Sequence, residues 1–399
     1  MKPTIVFFLI LTLFFSCKNS EKEKGSTFQS DLKRSANYVS NINTSLSKAT
    51  WEFNKYGIRR FTGYKDKVIV GALDGTLTCV DANNGKQVWV FKTDSSANRE
   101  FSECPSIYNN MVFIGCGNGF FYAIDAESGN MLWKFSTDGG YFARSASTVV
   151  NDKVYFGTVT SFYCLDASSG KLVWQYKIDH PVESGDPPAN CYSDGVIYFS
   201  NWDKHLYALN SESGKELWRY NCQGFISQPC VDSSLIFVPT TIHTSNSWEQ
   251  KIYALDSKNG TVKWQYNVGS EFQQHAQTLM LAADNDKLYF AAKEPMYSDK
   301  SAVIALNKNS GQKSWKYEPY SLDFTLCNST IALTNNIIFV GTVPKSGSSP
   351  INGNNIIGVD ASTGQEKWRF HLNNSPSEIS IYKDNCIVNI GTEKLIAIK

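Results

Sequence analysis

The chain has 399 residues, 42% hydrophobic and 19% charged, which is enough apolar material for a packed core and excludes wholesale disorder. A formal net charge of +1 supplies no basic field to draw in nucleic acid, so that class of partner is excluded as the main one. Aromatic residues reach 14%, with 20 Tyr and 24 Phe, a composition that favours strands.

The N-terminus reads as a targeting segment. Lys2 gives a positive start, an apolar run follows over residues 5–15, and Ser16-Cys17 closes it. The run is too short to span a bilayer as a helix and suits a signal peptide over residues 1–16. A small residue before a cysteine is the pattern of a lipoprotein cleavage site, with Phe14 where Leu is usual, so Cys17 is expected to be lipidated. Residues 18–47 are polar and rich in Lys, Ser, Asn and Glu, which predicts a flexible tether over 17–47 that reaches at most roughly 100 Å. Lys18, and no Asp, follows the cysteine, which favours the outer membrane. The expected location is therefore the cell envelope, facing the periplasm.

From residue 48 onward one pattern recurs. An alternating apolar run ends in Asp or Asn, a Gly follows, and a Trp stands four residues after the Gly. The copies are CVDANNGKQVW ending at Trp89, AIDAESGNMLW at Trp133, CLDASSGKLVW at Trp174, ALNSESGKELW at Trp218, ALDSKNGTVKW at Trp264, ALNKNSGQKSW at Trp315 and GVDASTGQEKW at Trp368. Successive Trp residues lie roughly 40–50 positions apart, the period of a propeller blade. Alternation makes a half-buried strand, Asp or Asn accepts backbone hydrogen bonds in a turn, and Gly supplies the positive φ that closes the hairpin. The Trp on the following strand can fill the space between neighbouring sheets.

A second turn precedes each copy, at Lys65-Asp66, Asn109-Asn110, Asn151-Asp152, Asp194-Gly195, Ser233-Ser234, Asn285-Asp286, Asn335-Asn336 and Asp384-Asn385. Each unit thus reads as four antiparallel strands; in the third they span 145–150, 153–159, 161–166 and 171–178. The last unit stops after three strands at KLIAIK, and Trp51, in ATWEFNKYG, has the context of the other Trp-bearing strands. The N-terminal strand is expected to complete the C-terminal blade, a closure that removes exposed edges. The fold class is all-β, a single eight-bladed β-propeller of four-stranded blades over 48–399.

The repeat, A-x-D-x-x-x-G-x-x-x-W in most copies, resembles the tryptophan-docking motif of the pyrroloquinoline quinone (PQQ)-like propellers over roughly residues 49–399. The resemblance implies that Trp51, Trp89, Trp133, Trp174, Trp218, Trp264, Trp315 and Trp368 dock blade against blade. Two branches matter for function. Quinoprotein dehydrogenases hold PQQ and Ca²⁺ in the channel and oxidise alcohols or sugars. The non-enzymatic branch includes the propeller lipoprotein of the outer-membrane β-barrel assembly machinery, similar to this chain in length, anchor and blade number. The adjacent cysteine pair of the alcohol dehydrogenases is missing here, and no Glu/Asn/Asp set stands out as a calcium site. No resident cofactor or metal and no catalytic residue is therefore expected, with PQQ and calcium as the alternative. The expected role is a monomeric scaffold that binds envelope proteins, including a β-barrel assembly component; the other alternative is a receptor for a carbohydrate or small ligand.

Long insertions mark one face as the binding face. Those within blades fall at 240–251, 293–301 and 343–354, and those between blades at 179–190 and 269–278. In an up-and-down blade both loop classes emerge on the same side, and long loops on a rigid scaffold tend to carry function. Trp202 and Trp248 are the two tryptophans outside the docking pattern, and Arg60 and Arg144 fall near blade entries, where side chains can approach the channel. Tyr297, Arg59, Arg99, His180, Glu183, Asp186 and His275 lie in the same regions. The 10 cysteines show no zinc spacing; beyond Cys17 most sit in apolar strand patterns as small buried hydrophobes. Hydrolase, metalloprotease, phosphate-loop and Rossmann motifs are absent.

Overall fold

The computed structural model describes residues 25–27, 46–93, 99–137, 146–179, 189–232, 234–243, 248–271, 280–293, 300–319, 324–326, 331–345 and 353–399. Eight antiparallel sheets follow one another along the chain and close into an eight-bladed propeller. Blade 1 comprises Ile58–Tyr64, Lys67–Ala72, Thr76–Asp81 and Gln87–Lys92, and blade 2 Ser106–Tyr108, Met111–Gly115, Phe120–Asp125 and Met131–Ser136. Blade 3 comprises Thr148–Val150, Lys153–Gly157, Ser161–Asp166 and Leu172–Lys177, and blade 4 Asn190–Ser193, Val196–Ser200, His205–Asn210 and Glu216–Asn221. Blades 5 to 7 repeat this order, starting at Cys230–Asp232, Leu281–Ala283 and Ala332–Thr334. Among the described residues the only helical element is the 3₁₀ turn Val268–Glu271.

The two recurrent turns do what their residues allow. In blades 1 to 4 and 7 the first hairpin runs through left-handed backbone, at Lys65, Asn109, Asn110, Asn151, Asp152, Asp194, Asn335 and Asn336, the conformation that Asn and Asp tolerate and that matches strand twist. In blade 8 it is Lys383, one residue before the expected pair, that takes the positive φ. In the second turns the Asp side chain caps the loop, as where Asp125 Oδ1 accepts from the Glu127 and Ser128 amides at 3.1 and 2.7 Å.

Blade 8 is made from both ends of the chain. Pro376–Tyr382, Asn385–Ile390 and Lys394–Ile398 are joined by Ala49–Asn54, with Trp51 opposite Ala397. Leu46 is buried in the core of blades 7 and 8, and the Ser47 amide donates to Lys399 O at 2.6 Å, so the folded part begins at or before Leu46. Within the span read as tether, Gly25–Thr27 forms a strand that pairs antiparallel with Thr148–Val150. Pairing with an open strand edge needs backbone groups only, which a polar composition does not betray.

First strands of neighbouring blades approach one another around the axis, and fourth strands form the rim. The core lies between blades. Phe121 of blade 2 stacks on Phe156 of blade 3 at 3.9 Å, and Phe162 of blade 3 on Phe199 of blade 4 at 4.3 Å. Seven indole N–H groups donate to a backbone carbonyl in the next blade's second turn. Trp51 reaches Ala82 at 2.7 Å, Trp89 Ala126 at 3.1 Å, Trp133 Ala167 at 3.0 Å and Trp174 Ser211 at 2.9 Å. Trp218 reaches Ser257 at 3.2 Å, Trp264 Lys308 at 3.0 Å and Trp315 Ala361 at 3.0 Å. Trp368 differs: its indole N–H is buried with no acceptor. The third and fourth strands of blade 8 come from opposite ends of the chain, so no A-x-D turn joins them and the matching carbonyl is not presented. Trp368 packs instead on Gly358 and edge-on to Phe339, with ring centroids 5.2 Å apart.

Candidate binding face

The insertion in blade 5 is largely strand. Leu235–His243 pairs with Trp248–Asp256 in unbroken register from Leu235↔Asp256 to His243↔Trp248, so the hairpin projects beyond its neighbours. A short strand, Phe225–Ile226, pairs with Thr241 and Thr240 on that extension. Gly224 permits the approach, because a Cβ there would lie 2.5 Å from Thr241 O. Blade 7 repeats the device, with Phe324–Leu326 pairing against the extended end of Ile337–Pro344.

This arrangement brings Trp202, in the second-to-third strand turn of blade 4, against Phe225. The two half-buried rings are 4.9 Å apart at 45°, and Lys204 Nζ lies 5.7 Å from the Phe225 centroid. Aromatic pairs with a nearby cation favour flat, partly apolar ligands and interface anchors. The backbone places Trp248 opposite His243 near the tip of the projecting hairpin.

Arg60 is elsewhere, on the first strand of blade 1. Its Nη1 is 3.5 Å from Glu378 Oε1 on the first strand of blade 8, and the Glu378 side chain is only 4% exposed. Burial pushes the Glu378 carboxyl up to about 7, with Arg60 partly offsetting it, and its Oε2 has no hydrogen-bond partner. Burial opposes the charge on Arg60, but Glu378, Glu103 and Cys104 outweigh it and hold the guanidinium protonated. Arg60 therefore belongs to a buried pair near the axis, apart from the Trp202 cluster. Of the other candidates, Arg59 is exposed on the same strand, and the Arg99 side chain packs over Gly75.

Cys17, Arg144, His180, Glu183, Asp186, His275 and Tyr297 lie outside the described residues, as does Cys327. The eight cysteines described are buried. Burial pushes Cys79, Cys164 and Cys222 up to about 12 and Cys116 to about 11, which makes them packing residues and poor nucleophiles. Among the described residues no three His, Cys, Asp or Glu side chains converge to hold an ion. Sequence reading missed Phe225 and Glu378. The one signal for Glu378 was a carboxylate within the apolar alternation of PSEISIY.

Solved structures of similar fold fall in more than one functional group. BamB from Moraxella catarrhalis superposes with a TM-score of 0.63 at 14% identity, covering 89% of this chain and 99% of that one. Quinohemoprotein alcohol dehydrogenase from Comamonas testosteroni gives 0.65 at 13% identity, covering 93% and 80%. A computationally designed protein, Ika8, gives 0.65 at 15% identity, covering 88% and 100%. At such identities the likeness is one of fold, and this fold serves enzymes and non-enzymes alike. No curated protein sequence matches significantly. The family model for outer membrane protein assembly factor BamB matches residues 37–186, 160–324 and 278–399. These matches run through all eight blades, and the chain belongs to that PQQ-like propeller family.

Proposed function

We propose that this protein is an envelope lipoprotein, anchored through Cys17 in the outer membrane and facing the periplasm. Its monomeric propeller acts as a scaffold that binds other envelope proteins, including a component of the β-barrel assembly machinery. The observation that carries this reading is the match of the assembly-factor family across residues 37–399. The projecting hairpin of blade 5 supports it, since an extended hairpin suits a protein interface.

The reading includes no resident quinone or calcium. Its test is a photo-crosslinking residue at Trp248, on the projecting hairpin, with the same residue at exposed Leu217 on the rim as control. The scaffold reading expects specific adducts from Trp248 alone. Adducts from neither position, or equally from both, overturn it. The fold likeness to quinohemoprotein alcohol dehydrogenase favours an oxidoreductase as the second reading. That reading expects PQQ with Ca²⁺ to bind the purified protein and support dye-linked oxidation of alcohols or sugars.

A further inference from the structure

The second-to-third strand turns of blades 1, 2 and 4 are built alike. Each has a residue whose carbonyl accepts from the fourth turn position: Ala72 from Gly75, Cys116 from Gly119 and Asn201 from Lys204. Each has an Asx at the third position capping the next strand: Asp74 on Thr76, Asn118 on Phe120 and Asp203 on His205. Each fourth position adopts a positive φ, +78° at Gly75, +84° at Gly119 and +70° at Lys204. The fold is thus satisfied by Ala-Leu-Asp-Gly in blade 1 and by Cys-Gly-Asn-Gly in blade 2. Blade 4 has Asn201-Trp202-Asp203-Lys204, and two of its three departures carry a local cost.

Lys204 occupies a left-handed position where glycine is unstrained. Asn201 is 2% exposed, and neither Nδ2 nor Oδ1 has a partner. Buried amides are nearly always hydrogen-bonded, so an unpaired one calls for an explanation. Two further unpaired acceptors lie across the junction in blade 5. Ser200 Oγ is 3.4 Å from Ser227 O, so the residues that follow these two, Asn201 and Gln228, both lie at the junction of the two blades. Gln228 Oε1 is buried without a partner. Gln250 is 2% exposed with Oε1 unpaired, and it stands opposite Thr241, which stands opposite Phe225. Directly opposed residues share a face of the sheet, so Gln250 and Phe225 lie on the same side.

We propose that the junction of blades 4 and 5 is a saccharide-binding site, with the Trp202–Phe225 pair as platform and Asn201, Gln228 and Gln250 as hydrogen-bonding floor. Three carbonyl acceptors and one amide donor select the ligand class. A carboxylate or phosphate offers the three carbonyl acceptors only further acceptors, and an apolar ligand leaves every amide unpaired. An extended peptide turns one N–H toward a given side about every 7 Å. Hydroxyls on adjacent ring carbons each donate and accept, and the C–H face of a sugar ring lies flat on indole. Lys204 adds ammonium donors beside Phe225.

The test transplants the blade 1 turn into blade 4 as Asn201→Ala, Trp202→Leu and Lys204→Gly together. Saturation-transfer NMR is recorded on the full propeller with maltose, lactose, cellobiose and N,N′-diacetylchitobiose at millimolar concentration. The proposal expects transfer to at least one disaccharide with the native protein and none with the variant, whose Tm is unchanged or raised by about 1–3 °C as strain and unpaired amides disappear. Transfer to none of the four, equal transfer with the variant, or a lowered Tm overturns it. Transfer only to an unstructured peptide control also overturns it and assigns the junction to polypeptide.

Discussion

Replacing Trp315 and Trp368 each by Phe makes one chemical change in two half-buried rings, and the structure predicts unequal costs. Both changes lose ring packing worth about 1–2 kcal/mol. At Trp315 the variant also loses the 3.0 Å hydrogen bond to Ala361 O, worth about 1 kcal/mol. Ala361 O still accepts from Tyr289 Oη at 3.2 Å, so no orphaned carbonyl adds to the loss. The sum is about 2–3 kcal/mol. At Trp368 no hydrogen bond is lost, and a buried, unpaired N–H is removed, which recovers about 1–3 kcal/mol. Trp368→Phe should be close to neutral. Urea unfolding followed by circular dichroism reads both midpoints, and unchanged m-values confirm that only stability moved. Equal losses at the two sites, or a larger one at Trp368, would refute the idea that the closing blade lacks a dock.

Gly364→Ala should cost more than about 2 kcal/mol, because its Cβ would meet the Trp315 ring at 2.6 Å on a backbone at φ +75°. Gly195→Ala, at φ +79° with nothing within 4 Å, should cost only about 1 kcal/mol, and thermal melts of the pair separate clash from strain. Glu378 titrates near 7 when folded and about 4.3 when unfolded, so its contribution to stability is present below about pH 4 and is lost as the pH rises through 7. Glu378→Gln should therefore gain about 1–3 kcal/mol on the native protein at pH 8 and lose that advantage as the pH falls to about 4. An advantage that does not change with pH would contradict the burial of this carboxylate.

The fold was legible because each blade repeats the same physical solution. Asp or Asn caps a turn, Gly takes the positive φ, and Trp reaches the next blade, so seven copies reinforce one reading. The seam was legible from arithmetic, since eight first turns faced seven Trp motifs and Trp51 stood unassigned. The missing acceptor of Trp368 is the other side of that mismatch, visible once strand pairing showed which carbonyl was absent. The binding face was less legible. Trp202 stood out as an irregular aromatic, but its partner Phe225 comes from a strand that only the projecting blade 5 hairpin creates. Arg60 was legible as a residue near a blade entry, but its partner Glu378 comes from the far end of the sequence and shows only once the ring closes. Gly25–Thr27 pairs through backbone alone, which leaves no trace in side-chain pattern. Lys204 could have been noticed: aligning the blades places it where Gly75 and Gly119 stand.

The central claim is that the propeller is an anchored scaffold for envelope proteins. The most direct test is crosslinked affinity capture of the tagged protein from native membranes, quantified against a Cys17→Ala form. The account predicts reproducible enrichment of a β-barrel assembly component with the native protein and its loss when the anchor cysteine is removed. Capture of no partner, or equal capture with both forms, would contradict it.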